Sequence, residues 1–196
     1  MEKVIFAIFE TLANDDPAGQ EAWLTAQITA TWTAFEAMAG DLWEAALNCK
    51  PAELAKLSGT KQNGDSRNID INFIHKYNYN ISNRMGTIFV ETNKYKFDSL
   101  RGIRQAYKDA FGGCLDYLID DTALDALSIV RNNLIHSGGI IDEKYRRRSS
   151  ILPLEAVGEA GSHIPLEGEL ATKLINPVLK LGNALLIAVD SWLTAH

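Results

Sequence analysis

A long helical repeat of apolar residues is the feature that most constrains the fold of this chain. From residue 17 to residue 48, apolar side chains recur at spacings of three and four positions, which places them on one face of a continuous helix. Pro17 suits the first helical position, and Pro51 ends the helix because the residue before a proline disfavours the helical conformation. A second repeat spans residues 167–193, where Pro177 predicts a kink. Two helices of this length favour a fold of helices packed side by side.

Shorter helices are predicted before and between these two repeats. Residues 2–13 have the apolar pattern of a short helix. Ser99 can cap a helix over residues 100–111, and the glycine pair that follows can stop it. The acidic pair before Thr122 favours another helix start, because acidic side chains stabilise a helix N-terminus. That helix should end at Gly138.

The connections between the helices complete the predicted fold. Residues 58–68 have the composition of a loop, and residues 69–97 predict irregular helix with one short extended piece. Ile151–Leu154 and His163–Leu166 can pair as a small β-ribbon with their prolines at its edges. The sequence therefore predicts one all-α domain over residues 1–196. We expect an up-and-down, four-helix-type bundle with a loop and β-ribbon insertion before the last helix.

The composition is that of a soluble globular protein. The chain has 196 residues, 46% hydrophobic and 22% charged, which is enough for one full core. Its net charge of −6 means that the whole molecule is not an electrostatic nucleic-acid binder, so an RNA contact needs a local basic patch. The apolar C-terminal segment carries Asn176, Lys180 and Asp190, which a membrane span rarely tolerates. Two cysteines make no disulfide framework. We expect a cytoplasmic protein with no cofactor, no metal site and no membrane partner.

Aromatic residues leave two interpretations open at two places. Trp23, Trp32 and Trp43 lie on the long N-terminal helix, where we expect core packing and keep base stacking as the alternative. An aromatic and cationic cluster follows residue 74. We expect it to be a packed surface insert, with RNA contact as the alternative, because aromatic rings stack on bases and lysine binds phosphate. Its members are His75, Lys76, Tyr77 and Tyr79.

A polar cluster lies at the end of the predicted helix that leads to the glycine pair at residues 138–139. Its apolar face consists of Leu124, Leu127, Val130 and Leu134, which recur at helical spacing. The glycine pair is a usual left-handed stop. Just before it, the helix carries an arginine, an asparagine and a histidine. These candidate catalytic residues are Arg131, Asn132 and His136.

These residue types suit phosphodiester chemistry without a metal. A histidine gives or takes a proton near neutral pH, and an arginine binds phosphate oxygens with a planar fork. An asparagine beside the arginine can orient phosphate or ribose. Arg131 and His136 point about 140° apart on a continuous helix, so they meet only if the helix ends near His136 or another chain completes the site. The alternative is a histidine that interacts with the helix dipole and an arginine in a surface ion pair.

The string from Arg131 to Asp142, RNNLIHSGGIID, resembles the signature of the HEPN superfamily (higher eukaryotes and prokaryotes nucleotide-binding domains). That signature is an arginine, often followed by a polar residue such as asparagine, with a histidine four to six residues later. In many bacterial members a glycine and an aliphatic-aliphatic-Asp run follow, as in this chain. The sharp part of the resemblance lies at residues 124–145, and a looser one extends from Glu21 to Leu193.

The resemblance implies an all-α bundle that forms a homodimer and often acts as a metal-independent ribonuclease. In such enzymes the ribose 2′-hydroxyl attacks the adjacent phosphate. The match implies that Arg131 holds the phosphate, Asn132 orients it, and His136 activates the 2′-hydroxyl or protonates the leaving oxygen. Because one histidine does not easily act as base and acid in one step, two chains that share a cleft would supply both groups. The family context is a toxin or an antiviral defence system, with an antitoxin or a defence protein as partner.

A basic run follows the glycine pair. Such a run is usually a solvated face, but its position next to His136 makes it a candidate RNA-binding site. Its members are Lys144, Arg146, Arg147 and Arg148. We expect His163 to be structural rather than catalytic.

Three functions therefore compete. The first is an RNA endonuclease, the second a catalytically silent HEPN module that binds RNA, nucleotide or a partner protein, and the third a structural helical protein with a chance motif. A solvent-open cleft lined by Arg131 and His136 favours the enzyme, whereas packed side chains favour the structural protein.

Overall fold

The computed structural model describes residues 17–55, 70–92 and 95–196, and in these ranges it is predominantly helical without any strand. The all-α fold class is confirmed for this part of the chain. The helix predicted at residues 2–13 and the loop predicted at 58–68 lie outside the described residues. The helices are α1 (Pro17–Cys49), α2 (Pro51–Leu54), α3 (Ile71–Lys76), α4 (Met85–Glu91), α5 (Leu100–Phe111), α6 (Asp116–Ile119), α7 (Thr122–Ser137), α8 (Glu143–Arg146) and α9 (Gly168–Ala195).

The helix boundaries follow the local signals in the sequence. The Ser99 hydroxyl accepts a hydrogen bond from the N–H of Gly102 at 3.3 Å and so caps α5. Gly112 ends that helix in the left-handed conformation, with φ of 63°. Helices α1 and α9 begin and end within two residues of their predicted bounds. Pro177 lies inside α9, and the kink there stays a prediction.

The stretch at residues 69–97 differs from the expectation. Its described part contains two short regular helices, α3 and α4, and no extended strand. Asp70 caps α3 by accepting a backbone N–H at 2.9 Å. At the start of α4, the Asn48 side chain accepts the N–H of Gly86 at 2.8 Å, and a Cβ on Gly86 would lie 2.3 Å from the Glu44 carbonyl oxygen. These tertiary contacts override the local β propensity.

The predicted β-ribbon before α9 is wrong in its pairing. The segment Ile151–Leu154 forms no strand, because it begins in one 3₁₀ helix (Ser149–Ile151) and ends in another (Leu154–Ala156). His163 forms an isolated antiparallel bridge with Ile140 instead. Pro153 explains the difference in part, since a proline has no N–H to donate to a ladder.

Contacts divide the chain into two compact units. Unit 1 comprises residues 17–34 and 122–179 of the described chain, and unit 2 comprises residues 35–121 and 180–196. Each of the two long helices, α1 and α9, contributes residues to both units. The single domain over residues 1–196 stays a prediction.

The apolar face predicted for α7 is buried in unit 1. Leu124, Leu127 and Val130 are 0% exposed and Leu134 is 8% exposed, so this prediction is confirmed. Helix α7 also packs against the 3₁₀ helix Ser149–Ile151, which holds the segment after the basic run close to the end of α7.

The core of unit 2 surrounds Trp43. Its indole ring is 0% exposed and lies 4.9 Å from the ring of Tyr95 and 5.4 Å from that of Phe97, centroid to centroid. The indole Nε1 donates to the Ala106 carbonyl at 2.9 Å. The Tyr107 hydroxyl donates to a second backbone carbonyl at 2.9 Å. Every polar atom that these two large side chains bury therefore has a partner.

Only two of the three tryptophans on α1 belong to a core. Trp32 is 2% exposed and Trp43 is 0% exposed, as predicted. Trp23 is 40% exposed, so the core prediction is wrong for this residue. The next residue, Leu24, takes the inward position at 5% exposure, and adjacent helical residues point about 100° apart.

Among the described residues, α9 alone is long and apolar enough to cross a membrane by length and composition. Its most apolar window has a mean hydropathy of 1.3 and is 22% buried. Core helices of soluble proteins meet the same criterion. The absence of a membrane partner and the cytoplasmic location stay predictions.

Candidate functional site

Helix α7 ends in a double left-handed turn. Gly138 has φ of 58° and Gly139 has φ of 79°, a conformation that glycine adopts without a steric penalty. The N–H of Gly139 donates back to the Asn133 carbonyl at 3.4 Å. The side-chain Nδ2 of Asn133 donates to the Ile140 carbonyl at 2.8 Å. Backbone and side chain of Asn133 together hold this turn in place.

Asn133 is a residue that the sequence analysis missed. It is 7% exposed, and its Oδ1 atom is buried without a hydrogen-bond partner in the described part of the chain. The available signal was its spacing, since Asn133 lies three positions after Val130 and four after Ile129. That spacing puts an amide on the apolar face of the helix.

A cavity of about 130 Å³ lies at the end of α7, and we call it the His136 cavity. The imidazole of His136 is exposed and makes no hydrogen bond or ion pair with other described residues. It is therefore free to exchange a proton with a ligand. The cavity is lined by Ile129, Asn132, Asn133, His136, Ser137, Asp142, Lys144, Tyr145 and Arg148.

The short helix α8 forms the far wall of this cavity and is fixed at two points. The Asp142 carboxylate caps it by accepting the N–H of Tyr145 at 2.6 Å. The Tyr145 hydroxyl donates to the Ala156 carbonyl at 3.0 Å. Burial raises the pKa of Tyr145 to about 12, so the phenol keeps its proton near neutral pH and anchors the helix rather than transferring protons.

The structure divides the predicted RNA-binding residues into two pairs. Lys144 and Arg148, four positions apart, line the His136 cavity, and their side chains pair with no acidic group among the described residues. Arg146 and Arg147 line a separate cavity of about 300 Å³. Arg146 forms an ion pair with Glu143 at 2.8 Å. The single basic surface predicted from the sequence is thus two surfaces.

Arg131 is placed differently from the other two candidate catalytic residues. It is half-buried, and its NH1 atom donates to the Asn132 side-chain oxygen at 2.9 Å. Its Nε atom is buried without a partner in the described chain. Although α7 ends at Ser137, close to His136, Arg131 does not line the His136 cavity. The structure brings together Asn132, His136, Lys144 and Arg148.

The members of the cluster that follows residue 74 already have partners, and those of Lys76 and Tyr77 lie at Glu91 of helix α4. Lys76 Nζ lies 2.7 Å from the Glu91 carboxylate, and the Tyr77 hydroxyl donates to the same carboxylate at 3.0 Å. Tyr79 is 68% exposed, and its ring meets that of His75 edge-on at 5.5 Å. The charge of Lys76 is therefore neutralised by Glu91, which favours the packed surface insert over an RNA contact.

Neither His163 nor any group of potential metal ligands in the described part of the chain forms a further site. His163 is exposed, and its backbone forms the bridge to Ile140, so its structural role remains the simpler interpretation. Among the residues that the structure describes, no three histidine, cysteine or acidic side chains come together in a way that could hold a metal ion.

The sequence matches no protein-family model, and neither a curated protein nor a solved structure gives a significant match. The case for a function therefore depends on the geometry of the His136 cavity and on the resemblance carried by residues 131–142.

Proposed function

We propose that this protein is a metal-independent RNA endonuclease that cleaves RNA by attack of a ribose 2′-hydroxyl on the adjacent phosphate. The observation that carries the proposal is the exposed imidazole of His136 in one cavity with the cations Lys144 and Arg148, all three without a side-chain partner among the described residues. The cavity of one chain thus holds one of the two proton-transfer groups that this reaction uses, beside two groups that can bind phosphate.

In the proposed reaction, the 2′-oxygen forms a bond to phosphorus while the bond from phosphorus to the 5′-oxygen breaks. A base removes the proton of the 2′-hydroxyl, and an acid protonates the leaving 5′-oxygen. His136 serves as one of these groups. Lys144 and Arg148 stabilise the additional negative charge of the pentacoordinate phosphate. The products end in a 2′,3′-cyclic phosphate and a 5′-hydroxyl.

The proposal includes a homodimer with a composite site. The His136 of one chain supplies only one of the two proton-transfer groups, and Arg131 of the same chain lies outside the cavity. A second copy of the chain would supply the missing acid or base. Each chain would be an up-and-down, HEPN-like bundle. The toxin or antiviral defence context, with an antitoxin or a defence protein as partner, follows from the resemblance alone.

A mixing experiment tests the composite site. Wild-type protein is mixed with increasing His136→Ala protein, and RNA cleavage is measured per wild-type chain. If both histidines act in one cleft, mixed dimers lose activity and cleavage per wild-type chain falls. Constant cleavage per wild-type chain, or a monomeric mass by light scattering at micromolar concentration, would overturn the dimeric site.

The silent binding module is the second candidate, and the placement of Arg131 favours it. The NH1 of Arg131 donates to Asn132, and Arg131 does not line the His136 cavity, so this arginine does not bind a phosphate there as it stands. A module of this kind would bind RNA through Lys144 and Arg148 without cutting it.

Incubation with total RNA distinguishes the candidates. We expect wild-type protein to cleave RNA and to leave 2′,3′-cyclic phosphate ends, whereas His136→Ala binds RNA without cleaving it. The matched control is His163→Ala, which removes another exposed histidine of unit 1 and should cleave like wild type. Binding without cleavage by wild type would assign the silent module, and neither activity would assign a structural protein.

A further inference from the structure

The segment after the glycine pair presents positive charge in two cavities that share one anchored residue. Tyr145 lines both the His136 cavity and the larger cavity of about 300 Å³. It is 4% exposed and fixed by the hydrogen bond from its hydroxyl to the Ala156 carbonyl. The two cavities therefore share Tyr145 as a wall, and burial and its hydrogen bond hold this residue in place.

The larger cavity keeps an excess of positive charge. Arg146 is balanced by Glu143 in an ion pair whose side chains are 50% and 65% exposed. Arg147 is exposed, and its side chain has no hydrogen bond or ion pair with another described residue. One guanidinium is thus left unneutralised in this cavity, in a chain whose net charge is −6.

The rest of the wall suits an oxygen-rich anion. The hydroxyl-bearing Ser149 lines the cavity beside the two arginines. Gly158 lines it without a side chain, and a Cβ at this position would lie 2.7 Å from the Cδ1 of Ile141. Arginine binds phosphate through paired N–H groups, and hydroxyl groups add further donors.

We propose that the Arg147 cavity, the larger of the two, is a second phosphate subsite, which binds a phosphate of the same RNA strand whose scissile phosphate lies in the His136 cavity. This inference rests on the proposed function, because the strand is defined by its phosphate in the His136 cavity. The shared Tyr145 wall makes one strand, rather than two separate nucleotides, the occupant of both cavities.

The test uses RNA length. In a His136→Ala background, binding of a dinucleotide and of an octanucleotide is measured by fluorescence anisotropy. Arg147→Ala should weaken octanucleotide binding about two- to five-fold, the range of an exposed ion pair, and dinucleotide binding by clearly less. Its octanucleotide salt slope should fall by about 0.7, the value for one phosphate contact on a single strand.

Two further variants keep the result interpretable. Lys144→Ala should weaken both RNAs by the same factor, because it acts in the His136 cavity. Arg101→Ala removes an exposed arginine of unit 2 and should change neither. If Arg147→Ala weakens both RNAs equally or neither, while Lys144→Ala weakens both, the second subsite is wrong and the proposed function stands. If none of the proteins binds RNA, both are wrong.

Discussion

Among the described residues, the buried side-chain atoms that lack a hydrogen-bond partner all lie in unit 1 and none lies in unit 2. In unit 2, the Trp43 indole and the Tyr107 hydroxyl are buried, and each donates to a backbone carbonyl at 2.9 Å. In unit 1, the buried Tyr145 hydroxyl also has a partner, whereas the Oγ1 of Thr29 has none in the described chain. The Nε of Arg131 and the Oδ1 of Asn133 are likewise buried without partners there. These two atoms lie on the helix that ends in the His136 cavity.

The difference separates residues kept for stability from residues kept for another reason. A satisfied buried hydrogen bond contributes about 1 kcal/mol, whereas an unsatisfied buried group costs about 1–3 kcal/mol. Stability alone would replace Asn133 with an apolar residue. Asn133 lines the His136 cavity, and active sites are where such a loss of stability is common.

The largest expected effect is the loss of RNA cleavage in His136→Ala, without a loss of stability. Because its imidazole is exposed and unpaired, His136→Ala should leave the free energy of unfolding within about 0.5 kcal/mol of wild type. Its rate of RNA cleavage should fall by about 10²–10⁴-fold, the usual contribution of a general acid or base. Urea denaturation and single-turnover cleavage measure the two quantities. A variant that unfolds, or cleaves as fast as wild type, would contradict the catalytic role.

The second largest expected effect is a loss of stability in the core of unit 2. Trp43→Ala should lower the free energy of unfolding by about 3–5 kcal/mol, because it leaves a large cavity among three aromatic rings. Trp23→Ala is the matched control, since Trp23 is 40% exposed, and should cost clearly less. Equal costs for the two variants would show that the core of unit 2 is not organised around Trp43.

Two substitutions with smaller expected effects test directly how a satisfied and an unsatisfied buried polar group affect the free energy of unfolding. Tyr107→Phe should lower the free energy of unfolding by about 1 kcal/mol, because it deletes a satisfied buried hydrogen bond. Asn133→Leu should raise it by about 1 kcal/mol, because the cost of the unsatisfied Oδ1 exceeds the loss of the bond to the exposed Ile140. The same Asn133→Leu protein should cleave RNA more slowly, since the turn after His136 loses its side-chain hydrogen bond. Destabilisation by both substitutions would remove the contrast between the units.

Local sequence signals predicted the helices well. Ser99, Gly112 and the glycine pair at residues 138–139 act through their own backbone and nearest neighbours, so their effect is visible in the sequence. The α4 helix was missed because its start depends on the side chain of Asn48, distant in the chain. Trp23 was misjudged because a repeat of three and four does not decide which of two adjacent apolar residues points inward.

The sequence predicted those parts of the site that depend on local signals and missed those that depend on contacts between distant segments. The motif identified Asn132 and His136, and the structure places both in one cavity. It could not show that Lys144 and Arg148 line one cavity while Arg146 and Arg147 line another. Each cavity takes part of its wall from a different segment, residues 129–137 in one and residues 157–158 in the other. Nor could the motif show that Arg131 engages its neighbour rather than the cavity.

The central claim is that RNA is cut by its own 2′-hydroxyl with His136 as a proton-transfer group. The most direct measurement uses a synthetic RNA that spans a mapped cleavage site, with and without a single 2′-deoxyribose before the scissile phosphate, in the presence of EDTA. We predict that wild-type protein cleaves the all-ribose strand in EDTA, leaves a 2′,3′-cyclic phosphate, and does not cleave the substituted strand at that position. Cleavage of the 2′-deoxy strand at the same position, or a requirement for magnesium, would contradict the account.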